Sequence, residues 1–280
     1  MPFTTLISTA ALALHLDDDG LVIVDCRTKL DDAAWGAREY AAAHIPGAVY
    51  ADLNRDLSAP LTGSNGRHPR PDPQTLAVTF GRLGIASGVQ VVAYDQDNGM
   101  FASRLWWLLR WLGHDAVAVL DGGDTKWGEE RRPRASGETP RTPREFTANV
   151  RREMSVDAAT VAQRVGSPEW RLVDARAPER FRGEVEPLDR IAGHIPGAVN
   201  HFFQTNVEDG VFKTPEQLRG SFAQTLADTS SDHVVCYCGS GVTACHNLLA
   251  MEHAGLRGAQ LYVGSWSEWS SDPSRPVEKG

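Results

Sequence analysis

The sequence predicts an α/β protein built twice over, as two domains that are each a mainly parallel sheet flanked by helices. Three observations predict it. The segment His44-Ile-Pro-Gly-Ala-Val49 recurs 150 residues later as His194-Ile-Pro-Gly-Ala-Val199. Short Val/Leu/Ile runs alternate with helical patterns in both halves, as buried parallel strands and their covering helices do. The chain has 280 residues, long for one domain and suited to two of about 100–150.

The elements follow in order. Residues 1–20 hold a short apolar run without a basic flank or cleavage site, so Ser8 reads as the N-cap of a first helix and not as part of a signal peptide. An apolar strand LVIVDCR then ends at Asp25, with Arg27 just beyond, and the HIPGAV turn comes next. A second strand, VQVVAYD, ends at Asp95. The helical run from Ser103 to Gly113 follows, where Trp106, Trp107 and Trp111 have the spacing of a packing face. LDGGDTKW closes the half at Trp127. The second half repeats this plan with RLVDAR (Asp174, Arg176), HIPGAV, DHVVCYC ending at Cys238, a helix over Thr243 to Gly255, and LYVGSWSEW through Trp269. The Pro-, Arg- and Thr-rich run from Arg131 to Phe146 reads as an exposed connection. We therefore expect domains over 1–135 and 154–280, joined by a linker over 136–153.

Composition narrows the function. The apolar fraction of 41% and charged fraction of 23% are those of a globular protein with a sizeable core. A net charge of −8 speaks against nucleic acid or an anionic membrane as partner, and no apolar stretch is long enough to span a bilayer. An anionic substrate must be drawn by a local positive field. The four cysteines, Cys26, Cys236, Cys238 and Cys245, are too few and too clustered for a disulfide framework, which points to a reducing, cytoplasmic setting.

Cys238 is the candidate nucleophile. It stands where a strand of an open α/β sheet ends, the usual position of ligand sites in such sheets. Gly239-Ser240-Gly241-Val242-Thr243 lead from it into a helix. Backbone N–H groups of such a loop form an anion cradle, and the helix N-terminus adds partial positive charge. Both favour thiolate over thiol and would hold a persulfide anion on the same sulfur. Cys236 belongs to the apolar run, and Cys245 and His246 to the next helix, so these three are assigned to packing. Together with Cys238 they lack the paired CxxC spacing of a structural zinc site, and no metal is expected. In the first half Asp95 takes the place of Cys238 and is followed by Gln96-Asp97-Asn98-Gly99-Met100, so that half is expected to have lost nucleophile and cradle alike and to serve as a non-catalytic scaffold. The pairs Asp25/Arg27 and Asp174/Arg176 occur in both halves, including the one without a nucleophile; they are assigned, with His44 and His194, to holding strand ends and turns.

Cys238-Gly-Ser-Gly-Val-Thr-Ala244, the two HIPGAV segments and the closing GSWSEW stretch together resemble the tandem-domain members of the rhodanese superfamily, over residues 5–275 or so. The resemblance implies two rhodanese-like domains and ping-pong sulfur transfer through a Cys238 persulfide, with no cofactor. The donor would be a small anion, thiosulfate or 3-mercaptopyruvate, and the acceptor cyanide or a thiol such as glutathione or a thioredoxin-like protein. Gly239 and Ser240 stand where thiosulfate-preferring members often carry basic residues, so the loop looks like the 3-mercaptopyruvate branch. In that branch a loop serine works with a His and an Asp of the first domain, for which Ser240, His68 and Asp56 are the matching residues. Arg180 matches a donor-binding arginine, and Arg190, in the shorter segment EVEPLDRIAGH, is the nearest counterpart of a second one. The same EVEPLD occurs in relatives described as thiosulfate sulfurtransferases, which leaves the donor open. Two other readings compete. A cysteine-dependent phosphatase would need an arginine six residues after the nucleophile, where this chain has Ala244. A persulfide carrier acting on a protein partner would have less need of Arg180 and an enclosed pocket.

Overall fold

A computed structural model of the chain describes residues 2–280. They form two compact units. The first holds the chain through Ala59, then Pro71–Arg151 and Asp209–Phe212; the second holds Pro60–Arg70, Arg152–Glu208 and Lys213–Gly280. The loop Pro60–Arg70 thus folds with the second unit although both its flanks belong to the first.

In the first unit the elements are β1 (Leu6–Ser8), α1 (Thr9–Ala13), β2 (Leu21–Asp25), α2 (Trp35–Ala42), β3 (Val49–Tyr50), α3 (Pro73–Arg82), β4 (Gln90–Tyr94), α4 (Ala102–Trp111), β5 (Val117–Asp121) and α5 (Gly123–Glu129). Ser8 caps α1, its Oγ accepting the Ala11 N–H at 3.1 Å. The strands pair in parallel in the order β1-β5-β4-β2-β3. Every residue of β2 is buried, as expected of a strand covered on both faces. Trp106, Trp107 and Trp111 of α4 are buried, with the Trp107 and Trp111 rings stacked at 6.0 Å. Between Glu130 and Arg151 there is no helix or strand.

The second unit runs β6 (Ser155–Val156), α6 (Ala158–Arg164), β7 (Arg171–Asp174), α7 (Pro178–Phe181), β8 (Val199–Asn200), β9 (Val207–Glu208), β10 (Val211–Phe212, counted with the first unit), α8 (Pro215–Leu226), β11 (Val234–Tyr237), α9 (Thr243–His253), β12 (Gln260–Tyr262) and α10 (Ser265–Trp269). Its sheet has the order β6-β12-β11-β7-β8, again all parallel, which is the first unit's order repeated. Val161, Leu172, Ile195, Val235, Tyr262, Trp266 and Trp269 lie in its core.

A buried lock explains why Asp-x-Arg and HIPGAV travel together. Asp25 ends β2; its carboxylate accepts from Arg27 Nε and Nη2 (2.9 and 2.6 Å) and from the Tyr94 hydroxyl (2.7 Å). Arg27 Nη2 also donates to the Ala43 carbonyl at 2.7 Å, and the Ile45 N–H reaches Tyr94 Oη at 3.4 Å, so the lock grips the turn from both sides. In the second unit Asp174, Arg176 and Tyr237 repeat it, with Arg176 Nη2 on the Gly193 carbonyl (2.7 Å) and Ile195 N–H on Tyr237 Oη (3.2 Å). His44 and His194 bond the carbonyls of Tyr40 and Phe181 through Nδ1 (2.7 and 2.8 Å) and stack on the same two rings. These residues hold the turns. Asp25→Ala leaves the Arg27 guanidinium buried beside an empty carboxylate site, and should cost about 3–5 kcal/mol, read as a lower urea midpoint of the first unfolding transition.

Candidate active site

Cys238 follows the last residue of β11 and is 2% exposed. Its carbonyl accepts the Trp266 N–H and the Gly239 carbonyl the Ser267 N–H, both at 2.9 Å, so the first turn of α10 pins the loop's carbonyls on one side. The Cys238 N–H donates to Ser265 Oγ (3.1 Å), which itself donates to the Tyr262 carbonyl (2.9 Å). These bonds tie down Ser265 in a left-handed conformation (φ +54°) that a residue with a Cβ rarely adopts, a strain typical of functional loops. The Gly241 N–H points back to Cys238 Sγ at 3.2 Å. Gly241 has φ +79°, and a Cβ there would lie 2.3 Å from the Val263 carbonyl oxygen, so only glycine fits. Val242 is buried at the N-cap of α9 and Thr243 begins that helix, bringing its N-terminus to the loop. The Cys245 thiol donates to the Gly241 carbonyl (3.3 Å) and braces the loop from beneath.

The side chains gathered here come from distant segments of the same unit. Ser240 Oγ and His68 Nδ1 are 2.7 Å apart and both residues are buried. Gly239 faces cations: a Cβ there would start 2.8 Å from Arg67 Nη2 and 3.6 Å from each terminal nitrogen of Arg180. Arg67 Nη1 bonds Asp189 Oδ1, and Arg180 Nη2 reaches Glu186 Oε1 at 2.6 Å and Asp189 Oδ2 at 3.5 Å. Burial pushes the Asp189 carboxyl above its usual range, against the opposing pull of Arg67. One expected residue is not at the loop. Arg190 is exposed, and it is Arg67 that lies beside Arg180 at the loop. Asp56 belongs to the first unit, where its carboxylate is held by Arg82 (2.6 Å), Arg55 (2.7 Å) and the Asp52 N–H (2.8 Å). Cys236 is fully buried, and burial raises its thiol far above the ordinary range. His246 is buried against Asn206.

The family model described as Rhodanese-like domain matches residues 8–130 and 157–272. The chain belongs to the rhodanese-like family. It is 48% identical, over the full length of both proteins, to a probable 3-mercaptopyruvate sulfurtransferase of Pseudomonas aeruginosa. It is 39% identical to a putative thiosulfate sulfurtransferase, SseB, of Mycobacterium tuberculosis, over 98% of this chain and 97% of that one. Among solved structures, SseA of Escherichia coli, described as a 3-mercaptopyruvate sulfotransferase of rhodanese fold, matches with a TM-score of 0.82 at 34% identity, covering 95% of this chain and all of that one. This is a sulfurtransferase made of two rhodanese-like domains.

The first rhodanese-like unit corrects one expectation. Its loop has not lost the cradle; the cradle is filled. The Asp95 carboxylate accepts four backbone N–H groups, from Asp97 (3.2 Å) and Gly99 (3.0 Å) on Oδ1 and from Phe101 (2.7 Å) and Ala102 (3.0 Å) on Oδ2. The carbonyls of Asp95 and Gln96 are pinned by the Asp124 and Thr125 N–H groups (both 2.9 Å), just as α10 pins those of Cys238 and Gly239. Gly123 (φ +57°) matches Ser265. The loop tolerates the loss of Gly-Ser-Gly because backbone amides, which any sequence carries, make the cradle. Sequence reasoning also missed Ser265, which sits inside the GSWSEW stretch, and Arg67, whose signal is its place next to His68. Asp95→Asn turns an NH₂ toward at least one of those N–H donors. It should cost about 1–3 kcal/mol, measured by chemical denaturation, while iodoacetamide labelling of Cys238 keeps its rate.

Proposed function

We propose that this sulfurtransferase moves a sulfane sulfur from thiosulfate or 3-mercaptopyruvate to cyanide or a thiol acceptor, through a persulfide on Cys238. The observation that carries the reading is the Gly241 N–H directed at Cys238 Sγ (3.2 Å), in a loop whose carbonyls are turned away, with two guanidinium groups at Gly239. In the first half-reaction the Cys238 thiolate attacks the donor's outer sulfur. The S–S bond of thiosulfate breaks and sulfite leaves with the electron pair, or the C–S bond of 3-mercaptopyruvate breaks and the pyruvate enolate leaves and takes a proton at carbon. The persulfide is held by the loop amides and the α9 N-terminus. In the second, cyanide or a thiolate attacks the outer sulfur, the S–S bond breaks, and the Cys238 thiolate returns. No metal or organic cofactor enters this scheme. Four buried cysteines, none in a disulfide, suit a reducing compartment, the cytoplasm. The relatives' names divide between the two donors.

The hydrogen-bonded Ser240–His68 pair supports a specific role with 3-mercaptopyruvate. A hydroxyl backed by an imidazole can deliver a proton to a departing enolate, whereas sulfite leaves without needing one.

Two outcomes are expected. Wild type turns over at least one donor with cyanide and carries one extra sulfur on Cys238 by mass spectrometry after donor alone, while Cys238→Ser does neither; activity surviving in Cys238→Ser would sink the mechanism. Ser240→Ala lowers kcat with 3-mercaptopyruvate by about 10²-fold and lowers that with thiosulfate much less, so the ratio of the two kcat/KM values reports the relay.

A further inference from the structure

The two arginines at Gly239 converge from opposite directions in the sequence, Arg67 from the Pro60–Arg70 loop and Arg180 from α7, and share one carboxylate. Asp189 gives one oxygen to each guanidinium, Oδ1 to Arg67 and Oδ2 to Arg180. Glu186, their neighbour, is different in kind. It bonds Arg176 of the buried lock (3.2 Å) and the Leu188 and Asp189 N–H groups (3.1 and 3.2 Å) as well as Arg180, so it is part of the fixed frame. Arg180 Nε is buried with no hydrogen-bond partner, so that guanidinium still has a donor to satisfy. Asp189 is itself desolvated, its side chain 6% exposed, and burial works against its charge.

We infer that Arg67 and Arg180 form a two-guanidinium seat for the carboxylate or sulfonate end of the donor, and that Asp189 occupies this seat until the donor displaces it. The inference rests on the reading of Cys238 as the nucleophile and adds to it a donor-binding residue, Arg67, and a built-in competitor. A carboxylate bridging two guanidinium forks is the geometry an anionic substrate would itself adopt. The seat adjoins Gly239, the residue after the nucleophile, so an anion held there keeps a small donor's sulfur close to Cys238 Sγ. Because the resident anion neutralises the arginines, donor affinity is set by exchange of one carboxylate for another. Removing the competitor's charge should therefore strengthen binding, whereas removing a seat arginine should weaken it.

A scaffolding role for Asp189 predicts the opposite sign, which makes the test direct. Binding of pyruvate and of inorganic sulfate is measured by titration calorimetry in the Cys238→Ser protein, where no chemistry can follow, alone and with Asp189→Asn, Arg67→Met or Arg67→Lys added. Asp189→Asn is expected to tighten binding about three-fold or more, and Arg67→Met to weaken it about ten-fold or more, with partial recovery in Arg67→Lys, which keeps the charge but not the fork. In enzyme with Cys238 intact, KM for thiosulfate and 3-mercaptopyruvate should move in the same directions by more than kcat does. Weaker anion binding in Asp189→Asn overturns the displaced carboxylate, and unchanged binding in Arg67→Met overturns the seat. Asp189→Ser stands in if Asp189→Asn does not fold; Arg67, 29% exposed in its side chain, can be replaced at the surface. Anion binding as expected in proteins whose Cys238 never takes up sulfur would defeat the proposed reaction and leave the seat standing, so the two failures are distinct.

Discussion

Two backbone hydrogen bonds, from the Trp266 and Ser267 N–H groups to the carbonyls of Cys238 and Gly239, decide what the rest of the site can be. A peptide unit has its N–H and C=O on opposite sides. Once these two carbonyls are turned toward α10, the Gly239 and Ser240 N–H groups of the same peptide units point away from it, and the next N–H, that of Gly241, faces the sulfur. The pin needs a helix that begins immediately beside the strand end, and the left-handed residue at its start, Ser265 or Gly123, produces that abrupt turn. The buried Asp-Arg-Tyr lock stabilises the neighbouring HIPGAV turn, and in the second unit its arginine also bonds Glu186, which positions Arg180. Core, turn, loop and cations are thus mechanically continuous within that unit.

The two units amount to the same cradle with two different anions. In the first it holds a carboxylate covalently built into the loop, with four amides on two oxygens. In the second it faces the sulfur of Cys238. The carboxylate is built into the first loop and satisfies buried N–H groups that would otherwise lack partners. This accounts for the persistence of the LDGGDTKW and LYVGSWSEW stretches in both halves, since each must supply the pinning amides whether or not a nucleophile is present.

Much of this was legible because it is local. The repeat, the strand ending at Cys238, the glycines after it and the Ser8 cap each depend on residues within a few positions of one another, where periodicity and turn chemistry operate. What was not legible depends on distance in the chain. Arg67 and Asp189 are 122 residues apart, and no spacing rule brings them together. Arg190, nearest to the expected register, proved exposed, because EVEPLDRIAGH turns the carboxylates Glu186 and Asp189 inward and leaves the arginine outside. The filled cradle of the first unit leaves no sequence signal for another reason. Glycine in a loop signals a cradle only where a positive φ or close approach demands it, and the amides around Asp95 are supplied mostly by residues of other kinds.

Charge brings these observations together. The chain carries a net −8, which by itself would repel an anionic donor. Around Gly239 two guanidinium groups meet two carboxylates, so without a donor the site is close to neutral and offers little long-range attraction. On the proposed reading its selectivity would act at contact range, through the fork geometry of paired arginines and not through a broad positive field. Such a site discriminates by shape and valence. A donor seat of the proposed kind would admit a small planar or tetrahedral anion able to bridge Arg67 and Arg180 while presenting sulfur to Cys238, and would give little to a bulky polyanion. Neutrality also limits the desolvation penalty of the two half-buried cations, since each has a carboxylate partner within the protein.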